Sequence, residues 1–120
     1  MNKKEEKIQF IIKPIIIMPR GYWHIRKYFK SGHGALIVGE SGASSDDEYG
    51  FLNITKNPPK GYSYMETEKP INKGEENSFV RLYLQKGKKK RFSKWTMKFE
   101  ISDSDLDKIE KYLNQKRKKR

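Results

Sequence analysis

Apolar residues in this chain fall into short β-branched or aromatic runs, and only the last run has helical spacing. Ile8 to Met18 (IQFIIKPIIIM) is rich in β-branched residues, which favour strands. Pro14 cannot donate to a sheet ladder, so it marks an edge, a bulge or a break between two short strands. Pro19-Arg20-Gly21 reads as a turn. In Tyr22 to Phe29 aromatic and basic residues alternate irregularly, a pattern open to a short helix or to a surface loop.

Ser31-Gly32-His33-Gly34 is a hinge before Ala35-Leu36-Ile37-Val38, a short apolar run consistent with a buried strand. Gly39 to Glu48 is polar and predicts a long, mobile loop. Tyr49 to Thr55 supplies a second core strand, and the two runs predict a β-hairpin. Lys56 to Gly61 contains Pro58 and Pro59 and ends that strand. Tyr62 to Asn77 is polar and turn-rich, and Ser78 to Leu84 alternates well enough for another strand. Gly87 opens a basic turn at a hairpin tip, Lys88 to Arg91. In Trp95 to Ile101, Trp95, Met97, Phe99 and Ile101 share one face, which predicts a half-buried strand.

The final element has the clearest signal. Ser102-Asp103-Ser104-Asp105 provides helix-capping side chains, with Asp103 and Asp105 placed to complement the helix dipole. Leu106, Ile109 and Leu113 recur at i, i+3 and i+7, an amphipathic helix of about three turns. The pattern as a whole is α+β and mainly β: about five strands forming a small curved sheet or barrel, closed by a C-terminal helix. It reads as one domain over residues 1–120, with 1–7 and 115–120 as frayed ends.

Composition narrows the chemistry. Lys and Arg number 27 against 15 Asp and Glu, a formal charge of +12 at pH 7. Such a field favours polyanions, nucleic acid first and acidic surfaces second. The absence of cysteine excludes disulfides, thiolate metal sites and cysteine nucleophiles. Two histidines do not make a multi-histidine metal site. Asp46, Asp47 and Glu48 lack the spacing of a cation-binding loop and read as solvated charges, so no metal site is expected. The Ile8–Met18 run is far short of a bilayer span, and the expected location is the cytoplasm, away from membranes.

Lys86, Lys88, Lys89, Lys90, Arg91 and Lys94 lie within nine residues and lead into Trp95. Cations in such a cluster release counterions from phosphates, and an aromatic neighbour can stack on unpaired bases. Arg20 and Arg26 are further phosphate candidates, since a guanidinium offers forked donors. Thr55, Lys56 and Lys60 place a hydroxyl and two cations around a rigid turn, an arrangement suited to a phosphate that gains charge. His33, between two glycines, is a candidate general acid or base, whereas His24 among aromatics reads as a packing residue.

Gly32-His33-Gly34-Ala35-Leu36-Ile37-Val38, a loop, and then Tyr49 to Thr55 resembles the core hairpin of the MazF/PemK-like toxin ribonucleases. Phe51 to Lys60 is similar to the Leu-Thr-Ser-Pro-Lys signature of type III toxin ribonucleases, and Ile101 to Ile109 resembles the helix start closing such barrels. The resemblance implies an SH3-like barrel and metal-independent cleavage of single-stranded RNA by 2′-hydroxyl attack, with no cofactor. It implies that Thr55 binds the scissile phosphate, that Lys60 neutralises it, and that a cognate antitoxin is a partner. Lys56 stands where the family has serine, and His33 where an arginine is usual. The alternative is a non-catalytic nucleic-acid-binding accessory protein of a phage, plasmid or other mobile element.

Overall fold

Two adjacent apolar runs, each buried on both faces, organise everything else. In a computed structural model of the chain, which describes residues 13–68, 77–98 and 100–118, they form a long antiparallel hairpin. Its strands are β3 (Gly34–Glu40) and β4 (Glu48–Thr55), with Leu36 opposite Leu52 and Ile37 opposite Phe51. Leu36, Val38, Leu52 and Ile54 face one side, while Ala35, Ile37 and Phe51 face the other. Covering both faces explains why these runs show no polar alternation. Each large side chain removed from water here contributes roughly 1.5–3 kcal/mol. The strands extend further into the predicted loop than expected, leaving only residues 41–47 between them. Ser41 N–H donates to Glu48 O at 2.9 Å, and Ser44 N–H donates to Asp47 Oδ2 at 2.7 Å, which ties the loop down.

Each outer edge of the hairpin carries two short strands placed end to end. On β3 these are β1 (Ile16–Ile17) and β2 (His24–Lys27), both antiparallel to it. The chain leaves the edge between them for a 3-10 turn at Arg20–Tyr22. β1 lies so close that a Cβ on Gly39 would stand 2.6 Å from the Ile16 carbonyl oxygen, so glycine is required there. On β4 the strands are β6 (Phe79–Arg81), beside Ile54 and Thr55, and β7 (Gln85–Lys88), beside Glu48 to Phe51. β5 (Tyr64–Glu66) adds to β6. The result is a curled antiparallel half-barrel of seven strands among the described residues.

The helix α1 (Asp103–Lys118) covers the open side. Ser102 caps it by accepting the Asp105 N–H at 3.1 Å, and Asp105 accepts the Glu68 N–H at 2.8 Å. Ile109 and Leu113 are buried with Trp23, Ile25, Val80 and the inward residues of the hairpin. On the opposite face Phe92 covers Ile37 and Phe51, with Tyr28 stacked on it at 4.7 Å between ring centres.

Four expectations are corrected. Residues 22–29 form neither helix nor free loop: the unpaired edge of β3 draws His24–Lys27 into strand β2. Trp95 to Ile101 makes no ladder among its described residues. β2 offers it two carbonyls, accepting Ser93 N–H at Lys27 and Met97 N–H at Ile25, and the residues between bulge outward, leaving Trp95 exposed. Lys88 to Arg91 is no hairpin tip, because β7 runs directly into a 3-10 turn, Lys89–Arg91, that crosses towards β2. The helix, expected to last about three turns, continues to Lys118 and takes in residues 115–118 of the expected frayed end. Residues 1–7 and the rest of that end, like residues 8–12 of the first predicted strand, lie outside the described residues.

Candidate nucleic-acid interface

The bulge at Lys94–Trp95 is built by one arginine and one serine. Arg26 Nη1 donates to the carbonyls of Ser93 and Lys94 at 2.9 and 3.0 Å, holding the strand open where it departs from β2. Ser93 Oγ accepts the Lys27 N–H at 3.0 Å and donates to the Trp95 carbonyl at 2.7 Å. The backbone under Trp95 is therefore fixed while its indole, 58% exposed, faces solvent. Phe29, 52% exposed, meets it edge-on with ring centres 6.4 Å apart.

These two rings form the rim of a groove of about 670 Å³. Tyr49 and Phe92 line it together with the cationic side chains of Arg26, Lys90 and Lys94. Lys89 also reaches it, but its ammonium is spent: it donates to Glu40 Oε1 at 2.6 Å and to the Gly42 carbonyl, and lies 5.1 Å from the centre of the Tyr49 ring. Arg26 sits 5.3 Å from the same ring and donates from Nε to His24 Nε2. Burial, with help from the Arg26 charge, holds the His24 pKa below the usual histidine range, against the Tyr22 carbonyl and Glu40, which pull it up.

A second groove, of about 320 Å³, opens on the helix side of the sheet, where β4 ends. His33, Thr55 and Lys56 line it, with Ile25, Ser78 and Met97. Thr55 Oγ1 accepts the Asn57 N–H at 3.2 Å, which stabilises the strand exit and leaves the hydroxyl proton to donate elsewhere. His33 is exposed, and its backbone N–H donates to Ser31 Oγ at 3.1 Å.

The candidate residues are thus divided. Arg26, Lys89, Lys90 and Trp95 meet in the larger groove; His33, Thr55 and Lys56 meet in the smaller one. Lys60, Lys88 and Arg91 are exposed and line neither. Arg20 lies elsewhere, its Nη1 donating to Asp107 and Glu110 on α1, with Asp107 raising its pKa. Sequence reasoning did not single out Phe29 or Tyr49. Phe29 lies in a run of aromatic and basic residues and Tyr49 in a core strand, and only the fold shows that both line the groove. Among the described residues no three His, Asp or Glu side chains gather as a metal site would need, and no helix is long and apolar enough to cross a membrane. Comparison with protein-family models, with curated proteins and with solved structures finds no match.

Proposed function

We propose that the protein binds single-stranded nucleic acid in the groove rimmed by Trp95 and Phe29. One observation carries this reading: a solvent-facing indole on a rigid bulge, flanked by Lys90 and Lys94, in a chain of charge +12. An unpaired base stacks on the indole, a contact worth roughly 1–3 kcal/mol, and the lysines neutralise phosphates on either side. A duplex hides its base faces and gains only the second term.

Trp95 also reports the event. Trp23 is only 6% exposed, so a fluorescence change on adding oligodeoxythymidylate arises at Trp95. Saturable quenching that weakens with salt and is lost in Trp95→Ala is the expected result. Unchanged fluorescence together with no binding by a second method at low salt would end the proposal.

A second reading, cleavage of RNA as in the toxin ribonucleases, is favoured by the meeting of His33, Thr55 and Lys56 in one groove. In it a ribose 2′-oxygen attacks the adjacent phosphorus and the bond to the 5′-oxygen breaks, leaving a 2′,3′-cyclic phosphate. His33 takes the 2′-hydroxyl proton and a proton from solvent goes to the leaving oxygen. Thr55 donates to a non-bridging oxygen, and Lys56 offsets the growing charge. A cognate antitoxin belongs to this reading. Single-stranded RNA incubated in EDTA should be cut by the wild type and spared by His33→Ala and Thr55→Ala; intact RNA with the wild type rejects it.

A further inference from the structure

Away from both grooves, a third constellation combines an arginine with two exposed tyrosines. The Arg81 guanidinium carbon lies 4.5 Å from the centre of the Tyr62 ring and 4.6 Å from that of Tyr83. Tyr62 is 56% and Tyr83 50% exposed. Local backbone structure brings the three together. Tyr83 N–H donates to the Arg81 carbonyl at 2.8 Å, a three-residue turn that ends β6 and folds Tyr83 back beside Arg81. Leu82 N–H donates to the Ser63 carbonyl at 3.0 Å, and Tyr64 pairs with Arg81, which brings Tyr62 in from β5.

This arrangement leaves an arginine ready to bind something. Contact with both rings restrains the side chain, yet its N–H donors have no acceptor among the described residues. A planar fork with unspent donors, held in place in advance, suits the paired oxygens of a phosphate better than it suits water. The exposed tyrosine faces offer further stacking area beside it.

Its position relates it to the Trp95 groove. Val80 pairs with Ile54 and both face the helix side of the sheet, so Arg81, the next residue, faces the opposite side. Arg26 is on that side too, through its pairing with Ala35 and the pairing of Ala35 with Asn53. Arg26 and Arg81 therefore stand on one side of the sheet, with β3 and β4 between their strands. Adjacent strands lie about 4.8 Å apart, so this amounts to about 15 Å measured along the sheet.

We infer that Tyr62, Arg81 and Tyr83 form a second contact point for the same strand, with Arg81 on a phosphodiester and a tyrosine ring under a base. The inference rests on the nucleic-acid reading of the Trp95 groove, and it states that the bound strand extends from β2 across to β6.

The test compares oligodeoxythymidylates of about 4 and about 16 nucleotides, the limits seen for small nucleic-acid-binding barrels. DNA is used because it lacks the 2′-hydroxyl and so stays intact. The wild type should bind the longer strand more tightly. Arg81→Gln should weaken that binding by about tenfold and leave the shorter strand unaffected, while Trp95→Ala weakens both. Arg81→Lys, which keeps the charge and loses the fork, should fall between, and its thermal midpoint confirms that the fold is intact. Unchanged binding of the long strand by Arg81→Gln overturns the inference, as does equal weakening of both lengths. If the wild type binds neither length, the parent reading fails instead.

Discussion

Arg26 donates from Nε to His24 Nε2 at 3.0 Å, and His24 Nδ1 lies 3.0 Å from the Tyr22 carbonyl. A guanidinium only donates and a carbonyl only accepts, so the ring is neutral, with its proton on Nδ1. Protonating His24 would set N–H against N–H and loosen the arginine that holds the Lys94–Trp95 bulge. Glu40 and Tyr49 also face this ring, the first favouring the charged form.

Stability should consequently depend on His24 in mildly acid solution. The folded chain holds this pKa below its ordinary value of about 6.5, so as pH falls the unfolded chain takes up the proton first. The contribution is intact above about pH 6.5 and is lost as pH drops below it. Between about pH 7.5 and about 5.5 the thermal midpoint of the wild type should fall more steeply than that of His24→Gln. Parallel curves would contradict this.

Neighbouring lysines should behave differently. Lys90→Ala should leave the thermal midpoint nearly unchanged but weaken oligonucleotide binding and lower the salt slope by about one ion. Lys89→Ala removes the donor to the Gly42 carbonyl and to the part-exposed Glu40, so it should lower stability by about 1 kcal/mol. Denaturant titration beside salt-dependent binding separates the two. Equal effects on binding alone would refute the assignment.

Gly39→Ala should be costly, because its Cβ would meet the Ile16 backbone at 2.6 Å and force β1 away from β3. A loss of about 1–3 kcal/mol is expected in urea unfolding. Gly21 has open space around its Cβ position, and Gly21→Ala should change stability by less than about 0.5 kcal/mol.

The helix should be held by its apolar face more than by its ion pairs. Ile109→Ala removes a fully buried side chain and should cost about 2–5 kcal/mol. Arg20→Ala breaks contacts to Asp107 and Glu110, both partly or largely exposed, and should cost no more than about 1 kcal/mol. The reverse order would show that α1 is anchored electrostatically.

The central hairpin and the helix were legible in the sequence because their signals are local. Leu36 and Leu52 sit in apolar runs that suit buried strands, and Leu106, Ile109 and Leu113 repeat at helical spacing. Strand β2 was not legible: nothing within Tyr22 to Phe29 says that the edge of β3 needs hydrogen-bond partners. The alternation at Trp95, Met97 and Ile101 was real but misleading, since Arg26 and Ser93 take the carbonyls of Ser93, Lys94 and Trp95 and hold the start of the segment away from β2.

The same division runs through the candidate sites. Composition alone determined that the protein carries a strong positive field, and the residue order placed many of those cations beside Trp95. Only the tertiary structure decided which of them remain available. Glu40 takes Lys89, Asp107 and Glu110 take Arg20, and the bulge takes Arg26, while Lys90 and Trp95 stay at the surface. Charge and periodicity are properties of neighbours along the chain. Availability depends on partners brought together from 49 to 90 positions away, and folding alone sets those pairings.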